Sequence, residues 1–431
     1  MIKNAFFWLI GLLVSALMVC GFVVIAEIAY RATGYNPNRG ALIEANLFPN
    51  APYTVSTQPA NVVLGKGSSI LDGYFRHGEC DAADGATARF NSLGFRGAEL
   101  PSPGSKKPNE VRVVVTGGSA SVSWNIGERC TLDWRLKERL ERLLPGTEVR
   151  VVNLGSGAWK SFQELIAVQL YALDLEPDVV VHFSGFNDSL HSFYMPINQA
   201  YSAGTIQLAF DRYRDWLYGT PRQFLSELRI IDALRTLMAS TPAVLSGPAH
   251  AEGAAQAVAL PETAAKPVPG GLATALHLPL DLEAIARRSD FDPLSRQVVD
   301  NYVRNERLMA RAVAVRGATL LSALQPTLYL KQPLSPAELR MMTDASGYGA
   351  TVNFTVQNYL RLRQDLADLS ASEPNVVFQD LSAAFDGVAE EMFGDNVHFY
   401  KQGYAIVADR LAPTIASAVR AKRPTLLSGG P

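Results

Sequence analysis

Four short polar segments of the chain contain the residue types needed for acyl transfer through a serine. In chain order they are 116–121 (TGGSAS), 153–157 (NLGSG), 185–188 (GFND) and 395–398 (DNVH). Together they supply a hydroxyl group, a glycine-rich backbone, a side-chain amide and a carboxylate close to an imidazole. A serine hydroxyl is a weak nucleophile until a base removes its proton. Imidazole, which titrates near neutral pH, is the most common base for this task.

Each chemical role in such a reaction has a candidate in these segments. Ser119 is the candidate nucleophile and His398 the base that takes its proton. Asp395, three residues before the histidine, could orient the imidazole and stabilise its cation. The tetrahedral intermediate carries a negative oxygen, which requires preorganised donors. The candidate oxyanion donors are the backbone N–H groups of Ser119 and Gly157 and the side-chain amide of Asn187.

The elements around these segments indicate a parallel sheet with helices on both faces. Apolar runs rich in β-branched residues predict strands at 111–118, 148–155, 177–185, 317–326 and 375–381. Amphipathic helices are predicted between them, including one around 296–316, one near 355–370 and a last one after Gly403. This alternation predicts an α/β fold with a parallel sheet. The carboxyl ends of the first three strands would bring three of the polar segments to one edge.

The composition narrows the classes of function. The 431 residues include 39 Lys and Arg and 41 Asp and Glu, which gives a net charge of −2. No overall basic field is therefore available to recruit nucleic acid, and no nucleic-acid partner is expected. The sequence contains neither CxxC spacing nor a metal-ligand cluster or phosphate loop, so no metal and no other cofactor are expected.

Two of the three cysteines, Cys80 and Cys130, lie outside the apolar N-terminal run. If this part of the chain is exported, the two thiols could form a disulfide. The alternative is a pair of unpaired buried thiols, and the disulfide is favoured.

The N-terminal run of apolar residues predicts a membrane anchor within 1–30. Residues 5–26 contain no charged side chain, and as a helix they would be about 33 Å long, enough to cross a bilayer. A cleaved signal peptide is the alternative, but its apolar core is usually shorter and ends in a small-x-small site, which is not evident after Ala26. We predict a single uncleaved span with the catalytic domain outside the cytoplasm, which would be the periplasm if the cell is Gram-negative. The flanking charges barely decide the orientation.

The remaining chain divides around one predicted catalytic domain, residues 111–420. The leading segment 31–110 is turn-rich and is expected to lie outside the cytoplasm and pack on that domain. Residues 190–295 interrupt the strand–helix alternation and are predicted to be an insertion. Within it, 240–275 is rich in Ala, Pro and Gly, and this composition is typical of a disordered stretch.

In their order along the chain, the four polar segments resemble the four blocks of the SGNH, or GDSL-type, hydrolases. The resemblance spans about 111–415 and is interrupted by the insertion. It implies a flavodoxin-like three-layer α/β/α fold and a Ser/Gly/Asn/His site. By this resemblance Ser119 is the nucleophile, Asn187 is an oxyanion donor, and Asp395 and His398 complete the triad.

Several details bear on this resemblance. The usual GDS of the family is GGS here, with the serine unchanged. The second block is shorter by about one residue, which leaves Gly155 and Gly157 as alternative oxyanion glycines, and Gly157 is favoured. Residues 91–97 (NSLGFRG) are similar to a segment found ahead of the catalytic domain in membrane-anchored bacterial members. Arg96 in this segment could bridge it to the domain or bind an anionic substrate, and the bridging role is preferred.

These features predict a membrane-anchored serine esterase that forms an acyl-enzyme. The resemblance and the anchor favour an O-acyl group, acetyl in the first place, on cell-envelope or secreted polysaccharide. Acylated carbohydrate or small esters are the expected substrates, and the polysaccharide machinery of the envelope is a possible partner. One alternative is a polysaccharide O-acetyltransferase that uses the same residues. Another is a non-catalytic glycan-binding or scaffold protein, against which the complete residue set argues.

Overall fold

The computed structural model describes residues 63–65, 80, 82, 86–123, 126–194, 278–344 and 349–424. The predicted membrane anchor and the stretch 240–275 lie outside these residues. Among the helices of the described ranges, none combines the length and the apolar character needed to cross a membrane.

The described part of the leading segment contains a small antiparallel pair of strands. In it β1 (Val63–Gly65) pairs with β2 (Ala86–Arg89). The chain then makes a tight loop in which Phe90 and Arg96 form an isolated antiparallel bridge. The Asn91 side chain stabilises this loop, because its Oδ1 accepts the N–H groups of Leu93 and Phe95, both at 3.0 Å.

A parallel sheet of five strands forms the centre of the described chain. Its strands are β3 (Glu110–Gly117), β4 (Glu148–Asn153), β5 (Val179–Ser184), β6 (Thr319–Leu324) and β7 (Val376–Asp380). They lie in the order β4-β3-β5-β6-β7, and every neighbouring pair is parallel. This is the flavodoxin-like strand order, in which a crevice opens at the carboxyl ends where the winding reverses, between β3 and β5.

Helices cover both faces of the sheet. They are α1 (Ser119–Val122), α2 (Leu132–Leu143), α3 (Ser161–Ala167), α4 (Phe186–Tyr194), α5 (Leu282–Ala286), α6 (Asp292–Ala314), α7 (Pro336–Asp344), α8 (Gly349–Ser372) and α9 (Lys401–Lys422). Short 3₁₀ turns lie at Glu128–Cys130, Leu173–Leu175 and Leu328–Leu330, and a π-helical turn at Val168–Ala172 extends α3. The helices α2, α8 and α9 contribute to the hydrophobic core on one face, and α3 and α6 to the core on the other.

The burial of the strands explains why they are almost uniformly apolar. Every residue of β3, β5 and β6 is buried, because helices on both faces leave no solvated side. In β3, Val113 and Val115 pack into the core beneath α2 and α9, whereas Val114 packs into the opposite core. Helix α2 shows the complementary pattern, a single buried stripe of leucines four residues apart.

The structure confirms the predicted parallel α/β sheet, and each of its five strands lies within two residues of the predicted range. Four helices were not predicted, α1, α4, α5 and α7. Helix α4 begins inside the third polar segment, and α7 lies between β6 and α8. The end of the predicted insertion, from 278 onward, contains α5 and the start of α6.

A disulfide attaches the leading segment to the loop between α1 and α2. Cys80 and Cys130 are bonded, with their Cα atoms 5.3 Å apart, and both are buried. Beside the bridge, the N–H of Arg129 donates to the carbonyl oxygen of Cys80 at 2.8 Å. The loop that follows the first polar segment is therefore joined covalently to a distant part of the chain.

Replacing both cysteines with serine should lower the free energy of unfolding by about 4 kcal/mol, because the bridge closes a loop across 50 positions in the unfolded chain. Urea unfolding of protein purified without reductant measures the difference. Wild-type protein unfolded in the presence of reductant is the control and should match the double variant. Alkylation of both thiols in denatured, unreduced wild-type protein would contradict the bond.

Candidate active site

Three of the four polar segments lie at the carboxyl edge of the sheet. Ser119 opens α1 directly after β3, the second segment follows β4, and Asn187 lies in the first turn of α4 directly after β5. The strands β3 and β5 are neighbours and are paired up to Gly117 and Phe183, near their last residues. This pairing brings the serine and the asparagine segments to the same level at the winding reversal.

The two glycines before Ser119 allow a close approach of backbone and side chains. A Cβ on Gly117 would lie 2.2 Å from the carbonyl oxygen of Phe183, and one on Gly118 would lie 2.4 Å from Asn187 Nδ2. A side chain at position 117 would collide with backbone, and one at position 118 would displace the Asn187 amide. The GGS sequence therefore lets the Asn187 amide pack directly against the residue that precedes the serine.

Ser119, His398 and Asp395 form a continuous hydrogen-bonded row. His398 Nε2 lies 2.7 Å from Ser119 Oγ, and His398 Nδ1 lies 2.6 Å from Asp395 Oδ2. An ionised carboxylate can only accept, so Nδ1 carries the proton and Nε2 accepts the hydrogen bond from the serine hydroxyl. Ser119 and the histidine are half-buried, which leaves the row accessible from the edge of the sheet.

The environment of Asp395 keeps its carboxyl group ionised. Burial alone would raise the pKa of Asp395, but the hydrogen bond and charge of His398 and two backbone donors outweigh it and lower the pKa below its ordinary value. Those donors are the N–H groups of Val397 at 2.8 Å and His398 at 2.7 Å, both to Oδ1. The carboxylate is thus oriented by its own turn, and its second oxygen is directed to the imidazole.

A buried ion pair holds the loop that carries this turn. Lys331 Nζ lies 2.7 Å from Glu338 Oε2, and both side chains are at most 1% exposed. The other oxygen, Glu338 Oε1, accepts the N–H groups of Met392 at 2.9 Å and Phe393 at 3.1 Å. This pair was not predicted, since residues 336–344 contain no polar motif that would connect them to residues 395–398.

The side-chain amide of Asn187, a candidate oxyanion donor, lies against Gly118, the residue before the serine. Asn187 Nδ2 donates to the carbonyl oxygen of Trp159 at 2.8 Å, which uses one of its two hydrogens. Of the two alternative glycines, Gly155 has its N–H bonded to Asn153 Oδ1 at 2.9 Å, and a Cβ there would lie 2.0 Å from Ser121 Oγ. Gly155 therefore serves close packing, which favours Gly157 as the oxyanion donor.

Arg96 bridges the leading segment to the loop after α1. Its Nη1 donates to the carbonyl oxygens of Val122 at 3.1 Å and Ser123 at 2.6 Å, and its Nη2 donates to that of Ile126 at 2.7 Å. The side chain is 3% exposed. Because α1 is a single turn, a cation that binds carbonyls at its C-terminal end holds the same turn that begins with Ser119.

Three further polar residues near the site are Asp188, His191 and His182. Asp188 is buried and accepts the backbone N–H of Ser161 at 3.0 Å and its hydroxyl at 2.6 Å, so it connects α4 to the start of α3. Burial and the charge of Lys160 lower the pKa of His191 to about 3, which leaves that imidazole neutral in ordinary buffers. His182 lies in β5 and contacts two buried glutamates.

Within the described ranges, no cluster of three or more His, Cys, Asp or Glu side chains is arranged to hold a metal ion. The remaining histidines, His77, His250 and His277, lie outside the described residues.

No protein-family model and no curated protein matches the sequence. The chain is similar to several solved structures. One is a lipase/acylhydrolase from Enterococcus faecalis, 13% identical, with 71% of this chain and 96% of the other covered and a TM-score of 0.36. Another is a catalytic mutant of an acetylxylan esterase from Geobacillus stearothermophilus, 13% identical, with 74% and 96% covered and a TM-score of 0.35.

A third similar structure is a GDSL-like lipase from Bacteroides thetaiotaomicron, 12% identical, with 71% of this chain and 88% of the other covered and a TM-score of 0.29. The assignment of an activity to this chain depends on the geometry of its own site.

Proposed function

We propose that this chain is a serine ester hydrolase that acts through an acyl-enzyme. The observation that carries the proposal is the row in which His398 lies between Ser119 Oγ, at 2.7 Å, and Asp395 Oδ2, at 2.6 Å. Ser119 and His398 are 279 positions apart in the chain. A nucleophile, a base and an orienting carboxylate in that order are the arrangement needed for nucleophilic acyl transfer.

In the first step Ser119 Oγ attacks the ester carbonyl carbon while its proton passes to His398 Nε2. The carbonyl π electrons move to the oxygen, and Asp395 stabilises the imidazolium that forms. The tetrahedral intermediate then collapses, the C–O bond to the alcohol breaks, and the alcohol leaves with the proton from Nε2. Water, deprotonated by the same nitrogen, hydrolyses the acyl-enzyme, releasing the carboxylic acid and restoring the serine.

The negative oxygen of the intermediate requires donors on the side of the serine opposite His398. The N–H of Ser119 belongs to the first turn of α1, where a helical N–H has no acceptor within the helix. The second Nδ2 hydrogen of Asn187 and the N–H of Gly157 complete the proposed oxyanion hole. Each donor of this type is typically worth about 3–4 kcal/mol in the transition state.

The proposed substrate is an O-acyl ester, acetyl in the first place, of an envelope or secreted polysaccharide. Two sequence features support this: the apolar run 5–26, which would anchor the enzyme in a membrane, and the similarity of 91–97 to membrane-anchored SGNH members. The Cys80–Cys130 bond supports a catalytic domain outside the cytoplasm, since disulfides persist in oxidising compartments. Acylated carbohydrate is accordingly the proposed partner of the site.

Incubation with a chromogenic acetyl ester tests the activity. Wild-type protein should release acetate, and Ser119→Ala should release none above the uncatalysed rate, because no other nucleophile replaces the hydroxyl. The matched control is Ser121→Ala, a neighbouring serine whose Oγ donates to the Gly118 carbonyl oxygen, which should keep measurable activity. Equal rates for wild type and Ser119→Ala would refute the serine mechanism.

The same assay with an acetylated polysaccharide distinguishes hydrolysis from transfer. We expect free acetate from the polysaccharide, with water as the acceptor. Acetate that appears on a sugar hydroxyl instead of in solution would replace the hydrolase by an O-acetyltransferase with the same residues. Binding of the polysaccharide without any serine-dependent chemistry would support the non-catalytic alternative.

Asp395→Asn should lower kcat by about 10³- to 10⁴-fold while leaving the protein folded. The amide can donate to Nδ1, which favours the tautomer that has its proton on Nε2, so the histidine can no longer accept from Ser119. Steady-state kinetics with the acetyl ester measure the loss, and circular dichroism checks the fold. A variant with more than a tenth of the wild-type kcat would show that Asp395 does not orient the base.

Asn187→Ala should lower kcat by about 10²- to 10³-fold with little change in KM, because an oxyanion donor stabilises the transition state more than the bound ester. Asn187→Asp is a useful companion, since it keeps the size of the side chain but places a carboxylate beside the oxyanion. It should be at least as inactive. A change confined to KM would place Asn187 in substrate binding and not in the oxyanion hole.

A further inference from the structure

A fully buried polar cluster lies behind the oxyanion side of the site, between β5 and the helices α3 and α6. It consists of Glu164, His182, Ser184, Glu306 and Ser322, none more than 1% exposed. His182 and Ser184 lie on the same face of β5, two residues apart, and β5 runs directly into the segment that carries Asn187. The proposed reaction uses none of these five residues.

Glu164 connects β5 to α3. Its Oε1 accepts the Ser184 hydroxyl at 3.0 Å, and its Oε2 pairs with His182 Nε2. On the other ring nitrogen, His182 Nδ1 lies 2.7 Å from Glu306 Oε1, which also accepts the Ser322 hydroxyl at 2.7 Å. The imidazole is thus held between one carboxylate on α3 and another on α6.

The two glutamates determine the protonation of His182. Burial alone would lower the pKa of His182, but the charges and hydrogen bonds of Glu306 and Glu164 raise it well above its ordinary value. A protonated imidazole donates from both nitrogens, one to each glutamate. Buried ionic groups of this kind contribute little net stability compared with apolar side chains of the same volume, and their best-supported effect is to specify one geometry.

The helix α3 starts four residues after Gly157, so its position determines the position of that oxyanion segment. Three direct contacts already join the Gly157 side to the Asn187 side: Asn187 to the Trp159 carbonyl oxygen, and Asp188 to the N–H and hydroxyl of Ser161. The Ser184–Glu164 bond adds a connection deeper in the protein, one helical turn along α3.

We propose that Glu164 is a positioning residue: by holding Ser184 and His182 of β5 against α3, it sets the separation between the Gly157 and Asn187 donors of the oxyanion hole. This inference rests on the proposed ester hydrolysis for its catalytic consequence. The connection between the two segments is a property of the fold and can be measured without a substrate.

The variants Ser184→Ala and Ser322→Ala form a matched pair. Each removes one buried hydroxyl from the same face of the sheet, and each hydroxyl donates to a glutamate that contacts His182. Ser184 donates to Glu164 of α3, the helix that follows the Gly157 segment. Ser322 is in register with His182 and donates to Glu306 of α6. The two variants should therefore lose similar thermal stability and should differ in the properties that depend on the oxyanion hole.

Ser184→Ala should lower kcat by about tenfold, the effect of one buried hydrogen bond, with KM within twofold of wild type. Its Ki for a trifluoromethyl ketone, which forms an oxyanion on Ser119, should rise by a similar factor. Hydrogen exchange of the amides in 157–161 and 185–189 should become faster in Ser184→Ala. Ser322→Ala should keep the wild-type kcat, Ki and exchange of these segments.

The proposal would be overturned if the two variants lost equal thermal stability and had equal kcat, Ki and hydrogen-exchange rates. The cluster would then contribute only to the stability of the fold. Faster exchange in Ser322→Ala than in Ser184→Ala would also overturn it. If wild-type protein has no activity that Ser119→Ala abolishes, the proposed function fails, and the exchange rates of the matched pair still decide whether Glu164 couples the two segments.

Discussion

The pairing of β3 with β5 is the constraint on which the remainder of the site depends. The two parallel strands stay in register up to Gly117 and Phe183, so the segments that leave them start from the same level of the sheet. At that level a Cβ on Gly117 would collide with the Phe183 carbonyl oxygen. The close contact forces glycine at the end of β3 and brings Ser119 within range of the turn that carries Asn187. Every residue of β3 and β5 is buried, so helices on both faces of the sheet hold these two strands in that register.

The strand pairing alone does not determine the positions of the loops that carry the candidate site, and buried charged side chains hold these loops. Arg96 binds three carbonyl oxygens after α1, the Lys331–Glu338 pair binds the loop before Asp395, and Glu164 with His182 joins β5 to α3. Each of these groups is almost completely buried, and each contacts a segment that carries one part of the candidate site. Because a buried charge is costly without specific partners, each arrangement tolerates few alternative loop geometries.

The leading segment has a larger part in the site than its turn-rich sequence indicates. Its Arg96 holds the single-turn helix α1, and its Cys80 is bonded to the loop that follows. The described ends of that loop are thus held by a covalent bond and by a buried guanidinium. The turn that begins with Ser119 is therefore contacted by residues that precede the sheet in the chain as well as by the sheet itself.

The strands, five of the nine helices of the described residues and the candidate triad could be predicted from the sequence. Hydrophobic periodicity and β-branched runs are local signals, and the polar segments stand out because they follow directly on apolar strands. A motif of four residue types in a fixed order adds specificity that no single segment has. The strands, the helices and each single polar segment could be recognised from the sequence because each depends on residues within a few positions.

Which groups lie together depends on contacts between distant parts of the chain. The sequence left Gly155 and Gly157 as alternative oxyanion glycines, and in the folded chain the Asn153 side chain accepts the Gly155 N–H. The contact of His398 with Ser119 joins residues 279 positions apart, and the partners of Arg96, Glu164 and Glu338 are equally non-local. A lone arginine or glutamate in a helix or loop has the same local sequence signal whether it is solvated or buried. What distinguishes the two is the packing of distant elements, since burial and partner geometry arise only when the chain folds.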